Sequence, residues 1–450
     1  MSPASLRAMA SSVMLWLRQK LEPRRLTFNL LWLLVLLLPV QLGKHFWPAS
    51  SLVLGVRIDY LSPTIFLTDI ILVFLVILWL VNLGPRKILT NLNSQPGLIF
   101  CSIFFLFLIS AVLSQNKLVS FYKVGKLAEF SLLAVFLASQ LKIDQLKKLF
   151  YPLTVSVVVT CILAWTQFLS GHSIGLWILG ERSFNLATPT ISIVEFEGRE
   201  FLRPYATFSH PNVMAGFLFV SSIIFLWSIL FLKWKTIVNF LVFSLAVATL
   251  LITFSRSAWL VGGFGFFLIF LNWFWRQRAK FKITVAAFLA GSVLTILLGP
   301  VVLARFSQIA TTDAHSLILR QKLAVAAVEM FSQNPFFGVG PGNFIIWLPG
   351  FFELRETIRW LQPAHNVFLL TAAELGLAGL AVLVGILLVA FVKVFQRFKG
   401  SDTLGLPLLV ILAGLILLSL TDHYFLTIQQ GQLIFFFVLG LCFWDKKWRS

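Results

Sequence analysis

The sequence predicts an all-α, polytopic integral membrane protein of about twelve transmembrane helices, with two longer loops on the outer face. Three observations predict it. Hydrophobic residues make up 59% of the 450 and charged residues only 12%, more apolar surface than a water-soluble fold can hide. Apolar runs of about 17 to 25 residues recur along the whole length, each long enough to cross roughly 30 Å of hydrocarbon as a helix. With the amino terminus inside, 22 of the 36 Lys and Arg fall in inner segments and 12 in outer ones, and that excess on inner loops sets the orientation. A lipid-facing β-barrel fits poorly, because its strands are short and alternate in polarity.

The spans fall near 27–43, 64–83, 97–113, 118–139, 150–170, 213–232, 236–254, 257–275, 283–303, 366–392, 404–420 and 424–444, within a single membrane domain covering 1–450. Both termini are then cytoplasmic. Arg7, Arg18, Lys20, Arg24 and Arg25 precede the first apolar run and read as a retained signal-anchor, since no small-x-small cleavage site follows cleanly. A net charge of +19 would suit nucleic acid in a soluble chain. Here the charges sit in short loops beside the spans, where anionic membrane lipid is the nearer partner, and no nucleic acid is expected. Cys101, Cys161 and Cys442 fall inside spans and read as small packing residues, not as a disulfide or metal framework.

Two outer loops stand out by length, 171–212 and 304–365, both rich in Gly, Pro, charge and aromatics; long loops on a rigid scaffold often carry function. The other connections are mostly short. The second long loop predicts an amphipathic helix from Ser316 to Ser332, with Leu317, Leu319, Leu323, Val325, Ala327 and Val328 as its apolar stripe. It is followed by NPFFGVGPGNF (334–344), whose three glycines and two prolines force tight turns and close backbone approach.

The unusual polar residues gather beside these loops. RPYATFSHPN (203–212) precedes the sixth span and carries Arg203, Tyr205 and His210; TFSRSAW (253–259) puts Arg256 at the next outer turn. Arg320 and Lys322 lie on the loop helix, His365 and Asn366 stand at the mouth of the tenth span, and TDHYFLTIQQGQ (421–432) forms another mouth. All five patches map to one side of the membrane. Guanidinium groups grip phosphate oxygens in pairs, so Arg203, Arg256 and Arg320 suit a pyrophosphate. An imidazole, with an unperturbed pKa near about 6.5, suits proton removal from a sugar hydroxyl. Together they point to glycosyl transfer from a lipid diphosphate, the arginines stabilising charge on the departing group. No His/Cys/Asp/Glu run has metal-ligand spacing, and no Walker sequence or nucleophile elbow is present. No cofactor and no metal are expected.

Each residue also has a plainer role. Arg256 could snorkel or cap a helix, and His365 could cap the tenth span through Asn366. Lys123, Lys126 and Glu129 share a face of the fourth span. Lys126 either pairs with Glu129 to fix packing or lines the outer cavity, since charge at such depth is costly. Asp422 and His423 read as fastening the last two spans.

The second half resembles the O-antigen ligase and polymerase family of bacterial membrane glycosyltransferases, on RPYATFSHPN, TFSRSAW, the Arg320 helix with NPFFGVGPGNF, and His365 with Asn366, Leu369 and Gly376. The resemblance covers roughly 200–380. It implies a GT-C-like membrane fold and metal-independent, inverting transfer of a glycan from undecaprenyl diphosphate to an acceptor hydroxyl, at the periplasmic face of the cytoplasmic membrane. It implies His365 as the base that activates the acceptor, and Arg320 and Arg203 as holders of the diphosphate, with Arg182 and Arg199 open as alternatives to Arg203. Arg256 and Lys126 are added to the diphosphate site, and Tyr205, His210 and Asn366 support it. The acceptor is lipid- or glycan-linked: a ligase and a polysaccharide polymerase differ in it, and the H-N-x-x-L motif favours the ligase. A flippase for the same lipid-linked glycan is the alternative from another class. It should show inverted-repeat symmetry, which the chain lacks.

Overall fold

The structure, a computed structural model, describes residues 23–92, 95–196, 198–232, 234–277, 305, 314–351, 361–400 and 402–444. Its main helices are α1 (Pro23–Leu36), α2 (Leu67–Leu83), α3 (Gln95–Leu113), α4 (Lys117–Gln140), α5 (Phe150–Ser170), α6 (Pro211–Trp227), α7 (Thr236–Ile252), α8 (Arg256–Gln277), α9 (Ala314–Gln333), α10 (Val367–Lys399), α11 (Gly405–Ser419) and α12 (Gln429–Phe443). Every expected span except 283–303 overlaps one of these helices. That span lies outside the described residues, as do the stretch before residue 23 and the parts 306–313 and 352–360 of the second long loop.

The molecule is a predominantly helical membrane protein. Among the described residues, four helices, Ile143–Ser170, Pro211–Leu232, Arg256–Trp275 and Val367–Lys399, are long and apolar enough to cross a membrane, and six more are apolar but shorter. α12 packs on α4, α7 on α6, α10 on α11, and α1 on α2. Their inward faces form one core that includes Leu72, Leu133, Phe217, Phe219 and Leu415. Phe74, Val81, Leu169, Leu260 and Leu388 point outward and are exposed, as lipid-facing positions are. Cys161 and Cys442 are buried, as expected of packing residues, whereas Cys101 is exposed.

The structure departs from the sequence expectation in three places. First, the connection between the first two spans is not short. α1 ends at Leu36, and the chain then builds two antiparallel strand pairs, β1 (Gly43–His45) with β4 (Thr64–Phe66) and β2 (Leu52–Val53) with β3 (Val56–Arg57). Second, loop 171–212 contains a hairpin, β5 (Ile193–Phe196) with β6 (Arg199–Leu202), so the all-α class holds for the bundle and not for its loops. Third, the predicted loop helix forms as α9, but its buried face is Leu319, Leu323, Ala326, Ala327 and Met330, while Leu317, Val325 and Val328 are exposed. That face joins Val53, Ile58, Leu61 and Phe344 in a second core beneath the loops.

The glycine-rich stretch after α9 docks on α10 backbone to backbone. Gly376 breaks α10 with φ 65 and ψ −162, a region open essentially to glycine alone. The break frees peptide groups that the stretch takes up. Val339 N donates to Ala373 O at 2.9 Å, Gly340 N to Glu374 O at 2.9 Å, and Leu377 N to Pro335 O at 2.7 Å. The Glu374 carboxylate accepts from Gly342 N and Phe344 N. The loops are thereby fixed to the bundle at the head of α10, where His365 stands.

Candidate active site

Two cavities adjoin at the end of the bundle where the loops gather. The larger, about 500 Å³, is lined by His365, His423, Asp59, Tyr60, Arg182 and Lys126 among others. The smaller, about 120 Å³, is lined by Arg203, Arg256, Arg305 and Arg320 with Asn212 and Ser255. Asp422 and Tyr424 line both.

Each arginine arrives on a different element. Arg203 follows β6 and is buried. Its Nε donates to Thr253 O at 2.8 Å and its Nη2 to Asn212 Oδ1 at 2.7 Å. Arg256 opens α8 and donates through Nη1 to Arg305 O at 3.4 Å. Arg320 comes from α9. Ala206 and Phe254, one in each of the two arginine-bearing turns, hold φ 49 and 52. Such left-handed conformations cost non-glycine residues about 1–3 kcal/mol and collect at functional sites. The turn at 203–206 is held by Gln167, whose Oε1 accepts from Tyr205 N and Ala206 N and whose Nε2 donates to Ala206 O and Glu181 Oε1.

His365 is reached from this cluster in three contacts. Asn212, bonded to Arg203, donates through Nδ2 to Asp422 Oδ2 at 2.8 Å, and Asp422 Oδ1 stands 3.5 Å from His365 Nδ1. The His423 ring packs against His365 with centroids 4.9 Å apart. Burial opposes ionisation of Asp422, but contact with His365 and charge from the surrounding imidazoles outweigh it and hold its pKa well below the carboxylate range. Burial, helped by charge on His365, pushes His423 down to about 3.

The sequence-predicted residues sort as follows. Arg203, Arg256 and Arg320 share one cavity, and His365 faces the other across Asp422. Asn366 caps α10, its Oδ1 accepting from Phe368 N and Leu369 N at 2.9 and 3.0 Å, and so sets where His365 emerges. Tyr205 is buried, and its hydroxyl accepts from Ser192 N at 2.9 Å, fastening the loop. Lys126 lies on the larger cavity, away from the arginines. It is ion-paired with Asp69 of α2 and lies 3.6 Å from Glu129 and 3.2 Å from Gln429 Oε1; its charge is offset where it stands. Of the alternatives to Arg203, Arg182 lines the larger cavity, while Arg199 lines neither cavity.

Sequence reasoning gave Asp422 and His423 only a fastening role, and passed over Arg305, Asp59 and Tyr60. It also found no metal-ligand spacing. In space, His365, Asp422 and His423 bring one ligand atom each within 4.8 Å of one another. Residues 57 positions apart leave no local spacing to find.

His210 supports the site by capping α6, its Nδ1 accepting from Asn212 N at 3.1 Å, which requires a neutral ring. Burial first, then charge on Arg203, His365 and Arg320 against that of Asp422, lower its pKa from 6.5 to about 3. An unfolded chain binds the proton that the folded one refuses. The stabilisation is therefore full above about pH 6.5 and declines as pH falls toward about 3. The thermal unfolding midpoint is expected to drop across that window. His210→Asn keeps a capping acceptor and should flatten the decline; an unchanged slope in the variant would remove His210 as its cause.

Residues 240–384 match a protein-family model described as O-antigen ligase. No curated protein matches the chain.

Proposed function

We propose, supported by the match of residues 240–384 to a family model described as O-antigen ligase, that the protein transfers a glycan from undecaprenyl diphosphate to an acceptor hydroxyl. The transfer is metal-independent and inverting, on the outer face of the bacterial cytoplasmic membrane, with both termini inside. One observation carries the reading: Asp422 separates a four-arginine cavity from a larger cavity that His365 lines.

The smaller cavity takes the diphosphate. Arg203, Arg256, Arg305 and Arg320 supply positive charge where the leaving group gains negative charge. The larger cavity takes the acceptor; its volume falls in the ~300–1,000 Å³ range of ligand pockets. Asp422 faces Nδ1 of His365 and favours the tautomer with the proton on that nitrogen, leaving Nε2 as the base, the logic of a buried carboxylate behind a catalytic imidazole. The acceptor oxygen attacks the anomeric carbon of the donor as its proton passes to Nε2. The new glycosidic bond forms, the bond from carbon to phosphate oxygen breaks, and undecaprenyl diphosphate leaves. One displacement inverts the configuration. An apolar cavity between helices, lined by Val367, Leu375, Phe425 and Phe436, starts two residues from His365 and suits the polyprenyl chain.

The test is reconstitution in vesicles with a fluorescent polyprenyl-diphosphate glycan and a panel of acceptors, with and without EDTA. Transfer that survives EDTA is expected; no transfer to any acceptor would end the reading. The panel also separates ligase from polymerase, since a lipid A-core acceptor serves one and a second lipid-linked repeat unit the other. Arg320→Ala is expected to lower transfer by about 10²-fold, with weaker donor binding, measured by titrating donor. Full activity in that variant would remove Arg320 from the diphosphate site.

A further inference from the structure

Within the site, His365 Nδ1 is a buried atom without a close hydrogen-bond partner among the described residues. Asp422 Oδ1 stands 3.5 Å from it. That spacing is long for a hydrogen bond. It is close to the edge of a coordination tetrahedron, since metal–ligand bonds of about 2.0–2.1 Å put ligand atoms roughly 3.3–3.4 Å apart.

The third group is His423. Its Nδ1 is occupied by Thr427 Oγ1 at 2.6 Å, and in the tautomer with the ring proton on Nδ1 its Nε2 keeps a lone pair for a metal. Asp422 is also oriented, with Oδ1 accepting from His423 N and Oδ2 from Asn212 Nδ2, both at 2.8 Å. Ligands whose other atoms are fixed by such outer contacts are what a metal site needs. The three ligand atoms lie within 4.8 Å of one another, and a shift of about 1 Å closes them on one ion.

We infer that His365, Asp422 and His423 form a binding site for Zn²⁺, and that the ion silences transfer when it binds. Two imidazoles and a carboxylate with an open fourth position match the ligand preference of this borderline ion. The inhibition rests on the proposed role of His365 as base. Zn²⁺ takes the Nδ1 position that otherwise holds the proton facing Asp422. The neutral ring then carries its proton on Nε2, where it cannot accept one from the acceptor hydroxyl. The carboxylate charge is also drawn to the metal.

The purified full-length protein, freed of metal with EDTA and desalted, is titrated with Co²⁺ as a spectroscopic probe and with Zn²⁺ in calorimetry. One saturable site is expected, with a visible Co²⁺ band that Zn²⁺ displaces. His423→Gln should weaken binding at least tenfold, and Asp422→Asn should do so independently. His172→Gln, which removes an exposed imidazole elsewhere, should not. In the vesicle assay, transfer should fall in proportion to Zn²⁺ occupancy and return with EDTA. Binding that neither site variant weakens would overturn the site, and transfer that needs the ion would overturn the inhibition. Loss of binding with transfer intact in EDTA leaves the glycosyltransferase reading standing. Binding without any transfer in EDTA supports the site and removes that reading instead.

Discussion

His365→Ala is expected to reduce glycan transfer by about 10²–10⁴-fold, the usual contribution of a positioned general base, while the protein still folds and binds donor lipid. The side chain is part-exposed and lies before α10, whose first turn is capped by Asn366 without help from the imidazole. Removing it leaves a space beside Asp422 and breaks no backbone contact. Donor binding should persist, because the arginines reach the smaller cavity from β6, α8, residue 305 and α9. A fluorescence titration of donor run beside single-turnover transfer separates the two effects. Normal transfer in the variant would leave the catalytic account without its base, and lost donor binding would mean that His365 belongs to the diphosphate site.

The second large effect is structural. Gly376→Ala is expected to destabilise the folded protein by about 3 kcal/mol or more, by combining a forbidden backbone conformation with a buried clash. A Cβ at this position would lie 2.4 Å from the carbonyl carbon and oxygen of Phe336 and 2.6 Å from Phe337 N. Neither side can yield, because the bonds from Val339 N, Gly340 N and Leu377 N tie the two backbones on both sides of the contact. Loss of the monodisperse species on size exclusion, or a much lower unfolding midpoint, is the expected readout. A variant as stable as the parent would show that the break in α10 relaxes at little cost.

Gly376 also shows what was legible in the sequence. Its distance from His365 fitted a motif, and the glycines of NPFFGVGPGNF predicted close backbone approach; the fold joins the two signals in a single contact. The helical spans were readable for a simpler reason, since each is a local property of composition and length. The arginines were readable because charge at the mouth of an apolar span is conspicuous. Asp422 was not, because a carboxylate at a helix end usually caps or fastens, and its role here depends on His365 and Asn212, both remote in the chain. Arg305 lies at the edge of an apolar run, where nothing in the local sequence sets it apart. The strands between 43 and 66 escaped because pairs of two and three residues carry almost no periodicity.

That early segment has an evolutionary consequence. His365, Arg256, Arg305 and Arg320 fall within residues 240–384, whereas Arg203 and Asp422, and with them Asp59, Tyr60 and Arg182 on the wall of the larger cavity, fall outside. On the proposed roles, selection on which molecule receives the glycan would act outside the matched stretch, and selection on how the bond is made would act both inside and outside it. On the proposed reaction, the segment between β3 and β4 that carries Asp59 and Tyr60 could diverge to suit a new acceptor while His365 and the arginines stay as they are.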